Sequence, residues 1–136
     1  MAYSPKRSAV QANAACDAMT ALLNSGTVKL YAIGAGVPAT ADTAIGAQPL
    51  LATLTLGNPA FGAASNGVAT ANAITKDSDA DATGDAAFFR ILTSGGVVAH
   101  QGLCGVSGCD LNMPTVSIVQ HAEVSITSLT ITESLG

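Results

Sequence analysis

The sequence predicts a mainly β fold, an antiparallel β-sandwich or jelly roll with one N-terminal helix. Three observations predict it. Apolar residues recur at the helical period only between Ser8 and Leu23. From Thr27 onward the period falls to two over short segments. Turn-forming Gly, Pro, Asn and Asp residues break the chain about every 8 to 12 residues, as in sandwiches and small barrels.

The helix is expected near residues 8–25. Ser8 is a good N-cap, because its hydroxyl can accept from an orphan N–H of the first turn. Val10, Ala14, Ala18 and Leu22 fall on one i+4 row, with Ala15, Met19 and Leu23 on the adjoining row. Together they form the apolar stripe expected to face the core. Asn24-Ser25-Gly26 ends the helix, with Gly26 as the C′ candidate.

Seven strands follow in this reading. Residues 27–33 alternate Val28, Leu30 and Ala32 against Lys29, Tyr31 and Ile33. Residues 34–48 form a loop, residues 50–56 a second strand, and Gly57-Asn58-Pro59 breaks it. A weaker strand of small residues covers 67–74, and residues 76–85 are an acidic turn. Residues 87–93 and 97–102 make a hairpin around Ser94-Gly95-Gly96, where glycine takes positive φ without steric cost. The last strands are 115–119 and 123–132. In the latter, Val124 and Ile126 differ in parity from Leu129 and Ile131, so a bulge at Thr127-Ser128 is expected to restore one buried face. Val28, Leu30, Leu54, Leu56, Phe89, Ile91, Ile126 and Ile131 are the expected core. Residues 1–7, with Pro5, Lys6 and Arg7, read as an N-terminal arm, and residues 8–136 as a single domain.

Composition bounds the function. Of 136 residues, 49 % are hydrophobic and only 10 % charged, which excludes an intrinsically disordered chain. A free domain keeps about a quarter to a third of its surface charged. So weakly charged a surface points to cover by other subunits, and a homo-oligomer is expected. The net charge of −4 and the five scattered Lys and Arg residues offer no basic stripe for nucleic acid. No apolar run reaches the roughly 18 residues of a membrane span. Asn13-Ala14-Ala15-Cys16 is a poor lipobox, preceded by a stretch too polar for a signal peptide, so use without secretion is expected. The odd count of three cysteines argues against a disulfide framework. Cys104 and Cys109 could close a small loop, but the plainer reading is two thiols near a turn.

The motifs that could carry chemistry are incomplete. Asp77-Ser78-Asp79-Ala80-Asp81 begins like a calcium loop, yet its sixth position is Ala82 and its twelfth is Phe88, and its flanks read as strands. A solvated turn is the plainer reading. A zinc site lacks its four ligands. His100 and His121 are the only histidines. A Cys104–His100 dyad would have no marked orienting residue, and no Gly-x-Ser-x-Gly elbow is present. No catalytic group, metal or cofactor is therefore expected.

The order of segments resembles small virion proteins of tailed bacteriophages, of the capsid decoration or cement kind. The residues that carry the likeness are Gly26-Thr27-Val28-Lys29-Leu30-Tyr31 after a short helix, Pro38-Ala39-Thr40-Ala41-Asp42, Leu50-Leu51-Ala52-Thr53-Leu54 and Asn58-Pro59-Ala60-Phe61-Gly62. Gly67-Val68-Ala69-Thr70-Ala71, Phe88-Phe89-Arg90-Ile91, Asp110-Leu111-Asn112 and Val124-Ser125-Ile126-Thr127-Ser128 continue it. The likeness covers most of the chain from about Ala9 to Thr132, and its motifs are structural rather than chemical. It implies a protein of the virion that binds the major capsid protein or other virion proteins and bridges neighbouring shell subunits. The alternative it leaves is a tail module that grips a host receptor or glycan. Lys6 and Arg7 of the arm, Pro38 and Asp42 of the first long loop, and Asn58, Phe61 and Asn66 of the second are the candidate partner-binding residues.

Overall fold

The computed structural model describes residues 8–34 and 36–133. The fold is mainly β with one helix. Helix α1 (Ala9–Ala21) is followed by β1 (Thr27–Tyr31), β2 (Leu50–Thr55), β3 (Val68–Thr70), β4 (Gly84–Asp85) and β5 (Phe88–Leu92). Then come β6 (Val98–Gly105), β7 (Leu111–Asn112), β8 (Ser117–Ile118) and β9 (Ser128–Thr132). Seven strands form one sheet in the order β2-β1-β5-β6-β7-β9-β3, and β4 pairs with β8 separately.

The helix starts where expected: the Ser8 hydroxyl accepts from the Gln11 N–H at 3.3 Å. Its buried face matches the expected stripe only at Leu23 and, in part, Met19. The buried row is Ala12, Cys16 and Thr20, with Leu23 beyond the end, whereas Val10 is 80 % and Leu22 62 % exposed. Ala14 and Ala18 are exposed as well. Small residues win the inward face because α1 lies close against β3 and β9. A Cβ built on Gly67 would already touch the Ala12 methyl at 3.3 Å, and the Cys16 thiol reaches the Ile131 carbonyl at 3.5 Å. Thr20 satisfies its buried hydroxyl on the Asp17 carbonyl.

The end of the helix is also corrected. Ser25, not Gly26, takes the left-handed backbone (φ 59°). Gly26 serves a close approach instead: a Cβ there would lie 2.2 Å from the Leu92 carbonyl oxygen.

The central strands pair as alternation requires. Val28 stands opposite both Leu54 and Ile91, and Leu30 opposite Ala52 and Phe89. All of these are fully buried. Leu56 and Ile131 are buried as expected, while Ile126 is half-buried at the core's edge. The wholly antiparallel expectation fails at one place, since β6 and β7 run parallel through Cys104↔Leu111 and Gly105↔Asn112. The last expected strand is two pieces: Val124 makes an isolated bridge to Asp77, and β9 begins at Ser128. A break, rather than a bulge, resolves the parity conflict. The hairpin at Ser94-Gly95-Gly96 is present, with Gly96 at φ 86° and the Thr93 N–H bonded to the Val97 carbonyl.

The sheet's outer edge at β2 is covered by the acidic turn. The Asp77 carboxylate accepts from Thr53 N–H at 2.9 Å, Thr55 bridges Thr75, and Asp81 N–H donates to the Leu51 carbonyl. Covering an edge in this way blocks strand-to-strand aggregation.

Candidate partner-binding surfaces

The two long loops lie on opposite faces of the sheet. Phe89 and Ile91 point to the side where Cys16 and Leu23 of the helical segment join the core. Arg90 has the opposite parity and points to the other side, under the loop of residues 36–48.

Arg90 is the anchor of that loop, and it is 3 % exposed. Its Nη2 donates to the carbonyls of Thr40 and Thr43, and its Nε donates to Gln101 Oε1 at 2.8 Å. Gln101 passes the contact on, because its Nε2 donates to the Pro38 carbonyl at 2.8 Å. Farther along, Gln48 Nε2 donates to the Gly36 carbonyl at 2.6 Å and Gln48 Oε1 accepts from Gly46 N–H. The Thr40 and Thr43 hydroxyls bond each other at 2.9 Å. Among the described residues every acceptor of Arg90 is neutral, so the guanidinium is held there by carbonyl dipoles instead of a carboxylate. Beneath the same cover Tyr31 stacks on Phe88, with ring centroids 5.1 Å apart. Burial pushes the Tyr31 hydroxyl up, and the nearby Arg90 charge opposes that shift. The loop is a built surface, and Arg90 and Gln101 were not among the residues expected to matter.

The second loop, residues 58–66, runs along the helix. Three polar residues on one side of the helical segment hold it. Asn24 Oδ1 accepts from Ala60 N–H, Asp17 Oδ1 from Ala64 N–H and Asn13 Oδ1 from Gly67 N–H, at 2.8–2.9 Å. The Asn58–Pro59 peptide is cis, and Asn66 and Gly67 both have positive φ. A shallow pocket of about 210 Å³ lies between this loop and the helix, lined by Asp17, Thr20, Asn24, Pro59 and Phe61.

The expected binding residues thus divide. Lys6 and Arg7 lie outside the described residues. Pro38 is buried, and Phe61, 6 % exposed, belongs to the core. Asp42, Asn58 and Asn66 are exposed, the first on one face and the other two on the opposite face. No single site unites the described ones.

The carboxylates, histidines and thiols are held apart or used structurally. Asp77 also accepts from Asp79 N–H, forming a local turn, and Asp79 pairs with His121 Nδ1 at 2.6 Å in the open. Among the described residues no three His, Cys, Asp or Glu side chains are grouped to hold a metal ion. His100 and Cys104 share a face but stand four residues apart on β6, about 13 Å along a strand, which is too far for a dyad. Burial, assisted by Cys109, pushes the Cys104 thiol up to about 11. It stays protonated at neutral pH and is a poor nucleophile. Cys109 packs its sulfur 2.8 Å from where a Gly105 Cβ would stand. That is the sheet face opposite to the Cys104 side chain, so the two thiols are not placed for a disulfide, and all three cysteines are free. No helix among the described residues is long and apolar enough to cross a membrane.

No protein-family model matches this chain, and no curated protein or solved structure is significantly similar to it.

Proposed function

We propose that this chain is a structural protein of a tailed-bacteriophage virion, a capsid decoration protein that binds the assembled shell and bridges neighbouring subunits. The observation that carries the reading is the outward row of α1. Val10, Ala14, Ala18 and Leu22 are all exposed on a face whose only charged residue, Asp17, is already bonded to the Ala64 N–H. Ile33, Val97, Leu103, Val106 and Val119 add further exposed aliphatic side chains. An apolar row on the outer face of the helix, on so weakly charged a chain, supports a protein that works when covered by partners. The resemblance in segment order supplies the kind of partner, the major capsid protein, and a homo-oligomer fits the same surface. In this reading the seven-stranded sheet, the β4–β8 pair and the helix build a sandwich, supported by a core that joins Leu51, Ala86 and Ile118 to Phe89 and Ile91.

The function needs no catalytic step and no cofactor. A protein that binds the closed lattice but not its separated subunits stabilises the lattice by mass action. Many weak contacts suffice, because the copies act together on one particle. The test is to locate the chain in a reconstruction of the virion. Density for it on the outer shell supports the proposal, and density confined to the tail rejects it in favour of a host-binding module.

A further inference from the structure

Among the described residues the seven-stranded sheet has a gap. β6 is eight residues long, yet beyond its pairing with β5 only Cys104 and Gly105 meet β7. Cys104 N–H donates to the Ala87 carbonyl, so by the alternation of an antiparallel ladder the N–H groups of Gln101 and Leu103 turn away from β5. No acceptor among the described residues receives them. Across the gap, Thr130 N–H donates to the Asp110 carbonyl, and Thr132, of the same parity on β9, turns its N–H toward the same opening. Where β7 is present, β6 and β9 are separated by two strand spacings, about 9.6 Å. In line with β7 the opening is therefore one strand wide.

Its floor is apolar. Met19, Leu22, Leu23, Ala99, His100 and Ile131 line a pocket of about 70 Å³, the scale of a small aliphatic side chain. Asp110 marks the end of the opening next to β7: its carboxylate oxygen is 3.4 Å from a Cβ built on Gly102, and it is exposed. Burial lowers the tendency of His100 to take a proton, with Asp110 opposing, so the floor is neutral near pH 7.

We propose that this opening receives one extended strand of a partner protein, which bonds to the backbone of β6 and β9, seats an aliphatic side chain in the pocket and places a basic residue beside Asp110. Three features choose this occupant. Ladder groups on both rims that have no partner among the described residues recognise polypeptide backbone. The neutral floor recognises an aliphatic side chain. The carboxylate recognises a cation. A second copy offering its own β6 fits poorly, since that strand carries β5 alongside and the opening is one strand wide. The inference rests on the sheet and is independent of the virion reading.

The test uses the whole protein and the peptide acetyl-KVTVTVK-amide, followed by NMR. Shifts are expected at the Gln101, Leu103 and Thr132 amides and the Met19 and Ile131 methyls, with a Kd of about 1 mM or tighter. N-methylating alternate peptide amides should weaken binding about tenfold or more, since a whole row of ladder bonds is lost. The glutamate-flanked peptide EVTVTVE should bind more weakly than the lysine-flanked one, and Asp110→Asn should erase that difference. No shift at about 5 mM peptide, or equal binding of the N-methylated peptide, overturns the proposal. Concentration-dependent protection of the same amides without peptide also overturns it and assigns the opening to a second copy.

Discussion

Replacing Arg90 with methionine keeps the aliphatic stem under the loop and removes the donor head. Three hydrogen bonds go with it, to the carbonyls of Thr40 and Thr43 and to Gln101 Oε1. Bonds to a charged donor contribute about 1.5–3 kcal/mol each, but the guanidinium also recovers its hydration when the chain unfolds. A net loss of about 3 kcal/mol is the balance, set mainly by three acceptors left short of donors. Against a stability of about 5–15 kcal/mol this is large, and it corresponds to a fall in Tm on the order of 10 °C. Urea unfolding followed by circular dichroism measures the loss, and amide exchange locates it. Thr43 N–H, bonded to the Thr40 carbonyl and hydroxyl, should lose protection, while the central strands exchange later. Arg90→Lys keeps the charge but cannot reach three acceptors from one planar fork, so it should recover only part of the stability. A loss under about 1 kcal/mol for Arg90→Met, or undiminished protection in residues 36–48, would refute the assignment of Arg90 as the loop's anchor.

Three further outcomes are expected. Gly26→Ala should cost about 1–3 kcal/mol or more, because its Cβ meets the Leu92 carbonyl at 2.2 Å; unchanged urea midpoints would contradict the close packing there. Thiol titration of the native protein near pH 8 should modify Cys109 readily and leave Cys16 and Cys104 slow, with all three reacting in urea. Burial raises both slow thiols, and a native Cys104–Cys109 disulfide would show as two missing thiols. Stability should depend on pH at both ends. Cys104 is raised in the folded state, so its contribution is complete below its ordinary value of 9.0 and is lost as pH rises toward about 11. His100 is lowered in the folded state, so its contribution is present above 6.5 and is lost as pH falls below it, and His100→Gln should flatten the acid limb.

Much of the fold was legible where one pattern dominated. The Ser8 cap, the switch from a period of 3.6 to 2 after Gly26, and the alternation that buries Val28 and Leu30 are local signals with one physical reading. The inward face of α1 was legible only in part. Val10 and Leu22 point outward, because the helix lies close against β3 and β9 and buries Ala12, Cys16 and Thr20, while Met19 and the flanking Leu23 of the expected stripe do pack on the core. The two-residue strands β4 and β7 left no trace in the sequence, since their pairing is decided by distant partners at Ile118, Cys104 and Leu129. The anchor of the first loop left a faint one. In Phe88-Phe89-Arg90-Ile91-Leu92 both faces of the strand carry large apolar residues, so a cover over Arg90 could have been inferred. The loop that provides it comes from 50 residues earlier in the chain.

The central claim is that the protein stabilises a shell by adhesion through its exposed apolar surface. It is tested most directly by stripping it from purified particles, heating them, and recording the temperature of DNA release. Stripped particles should release DNA at a lower temperature, and adding the protein back should restore the original value without metal or nucleotide. A Val10→Asp, Ala14→Asp double variant that folds normally should fail to restore it. Equal release temperatures with and without the protein would contradict the account, and a loss of adsorption to cells in the same particles would assign it to host binding.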